Sequence, residues 1–186
     1  MVDALPRDLL EQRFARLYRD NARRILGYAL RRCPDPEDAA EIVAETFLAA
    51  WRRLPEVPLG EEGRLWLYGT ARLVLANQRR GERRRNRLNE HLRAELSRQL
   101  PVETTEDPKG ALLEALTALE EPDRELLMLV GWEELTPAQA ARVLGVSSLA
   151  ARSRLHRARR RLRARLAEKG AGDPRGAELE AKEACR

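Results

Sequence analysis

The chain has 186 residues, 43 % of them hydrophobic but only 4 % aromatic, with 35 Lys+Arg against 30 Asp+Glu and a formal net charge of +5. That length supports one or two modest cores, and no apolar run approaches the roughly 18 residues needed to cross a bilayer. With no apolar stretch behind a basic start there is no secretory signal either, so a cytoplasmic chain without membrane insertion is expected. Cys33 and Cys185 stand near opposite ends of the chain, and the two histidines, His91 and His156, have no cysteine neighbours. A disulfide framework, a CxxC redox pair and a compact zinc site are therefore not expected, and neither a metal nor a cofactor is assigned.

Taken in chain order, the apolar residues between Asp8 and Arg32 recur at Leu9, Leu10, Phe14, Leu17, Tyr18, Ile25, Tyr28 and Ala29. This three-and-four spacing predicts a long amphipathic helix. Cys33-Pro34-Asp35-Pro36 ends it, and Asp35 then serves as N-cap of a second helix running to about Leu54, with Pro36 at its first position and Asp38 in its first turn. In that helix Ile42, Val43, Phe47, Ala50, Trp51 and Leu54 form the expected buried stripe. Asp38, Glu41 and Glu45 share another stripe, where like charges a turn apart are mildly destabilising. That stripe reads either as an ordinary solvated face or as a docking surface for a basic protein partner. Pro55, Pro58, Gly60 and Gly63 punctuate a predicted loop, and Arg64 to about Arg80 reads as a third helix with Leu65, Tyr68, Val74 and Leu75 inward. Seven of the eight aromatic residues fall in these three helices.

From Gly81 to Gly110 the regular periodicity is lost, as in a flexible linker, although its basic start can continue the preceding helix. Helical spacing resumes at Leu112, Leu113, Leu116 and Leu119, breaks at Glu121-Pro122 and resumes again at Leu126. No strand pattern and no internal repeat is present, so the expected fold is all-α, in two small helical domains. Charge follows the same division. Residues 1–78 carry 12 bases and 12 acids, 79–99 carry 8 and 3, 100–150 carry 3 and 10, and 151–169 carry 9 and 1. Two basic segments on either side of an acidic one read as two surfaces for polyanions or as two solvated arginine-rich faces.

Thr136-Pro137-Ala138-Gln139 is a capping box that starts a short helix, Gly145 supplies the left-handed turn that ends it, and Ser147 caps the next. Two helices joined by such a turn make a helix-turn-helix. In the second of them Ala151, Leu155, Ala158 and Leu162 form the buried stripe, leaving Arg152, His156, Arg159, Arg160 and Arg163 on another face. Arginines on such a helix can fork onto guanine in the major groove while others hold phosphates. On the third helix, Trp66 and Tyr68 followed by Arg72, Arg79 and Arg80 can combine base stacking with phosphate contacts, or the rings can pack inward and leave the arginines outside.

DAAEIVAETFLAAW, RLWLYGTARLVLANQRR and LTPAQAARVLGVSSLAARSRLHRARRRLRARL occur in that order, and over residues 8–169 the chain resembles the extracytoplasmic-function (ECF) sigma factors of bacterial RNA polymerase. The resemblance implies an alternative sigma factor and not an enzyme. It places a region 2 bundle in 1–88, a linker in 89–109, a region 4 helix-turn-helix domain in 110–169 and a tail in 170–186. It further implies that Asp38, Glu41 and Glu45 bind the β′ clamp helices of core RNA polymerase, with the β flap as a second polymerase contact. The loop from Pro55 to Gly63 with Arg64, Trp66, Arg72, Arg79 and Arg80 would read and open the −10 promoter element, and Arg152, Ser153, His156, Arg157, Arg159 and Arg160 would read the −35 element. An anti-sigma factor is an expected partner. The sequence departs from the family pattern at Ala44, where glutamine is common, at Leu73, where asparagine is common, and at Leu149-Ala150-Ala151, where Gly-Thr-Val is frequent. A stand-alone helix-turn-helix regulator is the rival reading.

Overall fold

The computed structural model describes residues 6–96 and 108–168, with side chains for 6–81 and 111–168. The linker stretch 97–107, the tail from Gly170 and the side chains of Arg83, Arg84, Arg85 and Arg87 lie outside the described residues. Within them the chain is helical and divides into two units, Met1–Gln99 and Leu100–Arg186.

In the first unit, α1 (Arg7–Leu30), α2 (Pro36–Arg52) and α3 (Gly60–Leu96) pack pairwise against one another. Asp35 caps α2 as its sequence predicts: the side chain accepts from the Glu37 N–H at 2.8 Å, and Pro36 opens the helix. Ile25, Tyr28 and Ala29 of α1, Ala39, Ile42, Phe47 and Ala50 of α2, and Leu65, Leu67, Tyr68, Ala71 and Leu75 of α3 form the buried core. Three members of the expected apolar stripes depart from it, since Leu9, Tyr18 and Trp51 are 49 %, 47 % and 41 % exposed. Phe14 meets Trp51 and Phe47 edge-on at 5.1 and 6.3 Å, and Tyr18 meets Phe47 at 4.7 Å, so these rings pack along one edge and leave the other wet.

The segment read as a loop from Pro55 to Gly63 is more ordered than its prolines and glycines imply. Leu54–Glu56 is a turn of 3-10 helix, and α3 begins at Gly60, four residues ahead of the expected Arg64. Pro55 fits the first turn of a helix, which needs no N–H there, and Glu61 and Glu62 favour the positive end of α3. At its other end α3 continues to Leu96, past the expected stop near Arg80 and into the stretch assigned to the linker. Helicity does not require apolar periodicity; Arg, Glu and Leu are good helix formers, and no proline intervenes before Pro101.

In the second unit, α4 (Pro108–Thr117), α5 (Glu121–Gly131) and α6 (Pro137–Leu144) pack around α7 (Ser148–Glu168). Leu116, Leu126, Leu129, Leu135, Ala140, Ala151, Leu155 and Ala158 are all buried. Pro122 stands in the first turn of α5 and so initiates that helix; the helical break expected at Glu121-Pro122 falls just before it, between Thr117 and Glu121.

Candidate nucleic-acid and protein interfaces

The helix-turn-helix forms as its local chemistry dictates. Gln139 N–H donates to Thr136 Oγ1 at 3.3 Å, and Thr136 N–H donates to Gln139 Oε1 at 2.8 Å, which closes the capping box. Gly145 takes φ 68° and ψ 33°, the left-handed geometry that ends α6 and turns the chain. Ser147 Oγ then accepts from Ala150 N–H at 3.2 Å at the start of α7. The stripe Ala151, Leu155, Ala158 and Leu162, with Leu166 added, is buried against the other helices.

This anchoring turns the basic face outward. Arg152, His156, Arg159, Arg160 and Arg163, together with Leu155 and with Pro137 at the start of α6, line an open groove of about 410 Å³. Ser153 and Arg157 are exposed on the adjoining stripe and do not line this groove. Arg163, which the sequence places on the same face but outside the residues assigned to the −35 element, lines this groove as well. On the opposite flank two other arginines are engaged by one acid: Arg161 Nη1 lies 2.5 Å from Asp123 Oδ2, and Arg154 Nε 3.9 Å from Asp123 Oδ1.

In the first unit the five residues assigned to the −10 element do not form one patch. Trp66 and Arg80 fall on one face of α3 with Leu73 and Asn77, at intervals of seven, four and three residues; Leu73 is 60 % exposed, and Arg80 donates to Asn77 Oδ1. Arg53 approaches this face from the end of α2, its guanidinium carbon 5.9 Å from the centre of the Trp66 ring. Glu56 holds Arg53 through hydrogen bonds, one of them from Nε at 2.9 Å. That hydrogen bonding lowers the Glu56 carboxyl below its ordinary value and raises Arg53. Arg72 is half-buried on the flank, and Arg79 reaches back to donate to the Arg32 carbonyl at 3.0 Å. Arg64 lies elsewhere, in a groove it shares with α1 and Val57–Gly60, and is paired with Glu61.

The carboxylate stripe of α2 is at the surface, with Glu41 and Glu45 exposed and Asp38 half-buried. Its spacing was legible, but its support was not. Gln78 of α3 donates from Nε2 to Asp38 Oδ1 at 3.2 Å and to Glu41 Oε2 at 3.3 Å. One neutral donor thus bridges two like charges and offsets part of their repulsion. No helix among the described residues is long and apolar enough to cross a membrane.

Residues 17–85 match the Sigma-70 region 2 family and residues 109–162 the Sigma-70, region 4 family. The ECF RNA polymerase sigma factor SigL of Mycobacterium tuberculosis is 33 % identical over 162 residues, covering 83 % of this chain and 89 % of that protein. The RNA polymerase sigma-E factor of Streptomyces coelicolor is 29 % identical over 163 residues, covering 87 % and 89 %. Among solved structures, CnrH, in complex with the cytosolic domain of CnrY, aligns with a TM-score of 0.58 at 25 % identity, over 87 % of this chain and 97 % of that one. RpoE of Bartonella quintana, in complex with the anti-sigma factor NepR, shares the fold at a TM-score of 0.62 and 21 % identity, over 82 % and 96 %. A carboxylate-striped bundle followed by a basic helix-turn-helix, matched in both parts and in that order, places the chain among the ECF sigma factors of RNA polymerase: it is an alternative sigma factor that directs transcription initiation, and neither an enzyme nor a stand-alone regulator.

Proposed function

We propose that the chain divides its work as region 2 in 1–88, a linker in 89–109 and region 4 in 110–169, and that it acts in the cytoplasm on core RNA polymerase. The α7 groove carries the reading. A helix buried along one side and cationic along the other, preceded by a capped helix whose first turn borders the same groove, suits a duplex whose major groove admits one helix and whose phosphates flank it. Arg152, Ser153, His156, Arg157, Arg159 and Arg160 then read the −35 element, with Arg163 added to the phosphate contacts.

Trp66, Arg72, Arg79, Arg80 and Arg64 serve the −10 element. Trp66 and Arg80, which share a face, meet unstacked bases and backbone, while Arg64 acts near the Val57–Gly60 turn. Asp38, Glu41 and Glu45 dock on basic residues of the β′ clamp helices, supported by the Gln78 bridge, and the second unit contacts the β flap. An anti-sigma factor, the kind of partner with which RpoE of Bartonella quintana was solved, is a further partner.

The test is run-off transcription with purified core polymerase, followed by sequencing of the transcripts. Discrete start sites that depend on this chain are expected, and the variant Glu41→Lys/Glu45→Lys, still folded, is expected to lose association with core polymerase. Unchanged association of that variant overturns the docking assignment.

A further inference from the structure

Of the eight arginines on α7, two are set apart by their position. Arg154 and Arg161 stand seven residues, or two turns, apart on the flank away from the groove, and both face Asp123. The Asp123 side chain is only 7 % exposed and stands in the first turn of α5, where the helix N-terminus favours a carboxylate. An acid in that place, on a domain whose business is to attract a polyanion, does more than fill the core.

We propose that Asp123 is a positioning residue that determines specificity: it sharpens the roll that the buried stripe gives α7 by pairing with the helix at two points, and it withdraws Arg154 and Arg161 from the cations available to DNA. The proposal rests on the assignment of the α7 groove to the −35 duplex. Base readout requires the groove side chains to meet base edges at one rotation of the helix, whereas phosphate attraction tolerates many. Freeing α7 about its axis blurs the first, and releasing two arginines strengthens the second. Loss of Asp123 therefore weakens discrimination while it raises binding to the wrong sequence, a combination that simple loss of stability does not produce.

The experiment uses holoenzyme reconstituted from core polymerase and the full chain, on promoter duplexes found by run-off sequencing and on the same duplexes with the −35 element scrambled. Asp123→Asn is compared with wild type between about 50 and 200 mM salt. The preference for the intact element is expected to fall by about tenfold, and the log–log salt slope on the scrambled duplex to steepen by about 1 to 2, at ~0.9 per added phosphate contact. In the triple variant Asp123→Asn/Arg154→Gln/Arg161→Gln the slope is expected to return to the wild-type value while the preference stays low.

An unchanged preference in Asp123→Asn, whatever happens to absolute affinity, overturns the proposal, as does a slope that the triple variant fails to restore. Should Asp123→Asn not fold, Arg154→Gln/Arg161→Gln alone must lower the preference without steepening the slope, and a full preference there overturns the proposal. Arg160→Ala/Arg163→Ala separates the two readings: if that variant binds both duplexes like wild type, the groove assignment itself falls; if it weakens binding while Asp123→Asn keeps full preference, only the role of Asp123 falls.

Discussion

Backbone geometry makes the same demand at two residues of the second unit, and only one of them is glycine. Gly145 occupies the left-handed region that an L side chain adopts at a cost of about 1–2 kcal/mol, so Gly145→Ala is expected to destabilise the chain by about 1 kcal/mol in urea unfolding. Glu134 occupies the same region at φ 54° without being glycine. Relief of that strain, less the roughly 0.5–1 kcal/mol of extra entropy that glycine loses on folding, leaves Glu134→Gly stabilising by about 0.5 kcal/mol. Gly63 needs its missing side chain for another reason: a Cβ there would meet the Pro58 carbonyl oxygen well inside contact distance. The need for a left-handed turn at Gly145 was legible from Leu144-Gly145-Val146 after a capped helix. The close approach at Gly63 was not, because it arises between a turn and a helix that only the fold brings together.

Helices in the second unit are held by their ends and by buried side chains, along one stripe in α7 and all round in α5, where Leu126 to Val130 are buried without a break. Thr136→Ala removes the oxygen that accepts from Gln139 N–H and is expected to cost about 1 kcal/mol. Leu129 is fully buried, and Leu129→Ala is expected to cost about 3 kcal/mol through lost transfer energy and the cavity left behind. Leu113 belongs to the same apolar pattern in sequence but is 60 % exposed, so Leu113→Ala should stay within about 0.5 kcal/mol. Thermal unfolding of the three variants side by side checks the ranking. Periodicity thus located the helices and their caps well, and located burial less well. Leu9, Tyr18, Trp51 and Leu113 satisfy a helical stripe, yet whether a stripe residue is covered depends on where the neighbouring helix ends. The reach of α3 to Leu96 shows the converse, helix persisting where the apolar periodicity of the sequence has stopped.

On the function proposed above, each unit meets DNA through one helical face and both ride on one polymerase. Linking two weak contacts through a common carrier makes the second intramolecular and can add roughly 10²–10⁴ in avidity. Scrambling either promoter element alone is therefore expected to lower holoenzyme affinity by about 100-fold or more, and the chain without polymerase is expected to bind the same duplexes weakly and with steep salt dependence. Equilibrium binding of intact, half-scrambled and fully scrambled promoters measures this directly. If the free chain bound the intact promoter as tightly as the holoenzyme does and lost as much on scrambling either element, the shared carrier would have no part in the affinity.

Elements whose formation is local were fixed by the sequence alone: the Asp35 and Thr136 caps, the Gly145 turn, the buried stripe of α7, the carboxylate stripe of α2 and the basic face of α7. Their hydrogen bonds and periodicities join residues within one or two helical turns, so a linear string carries them. Tertiary structure decided which of these residues work together. It drew Gln78 across to Asp38 and Glu41, and set Asp123 against Arg154 and Arg161. These are contacts between residues some 30 to 40 positions apart, and their existence depends on how helices roll against one another. That roll is set by packing of whole faces, which no single stretch of sequence encodes.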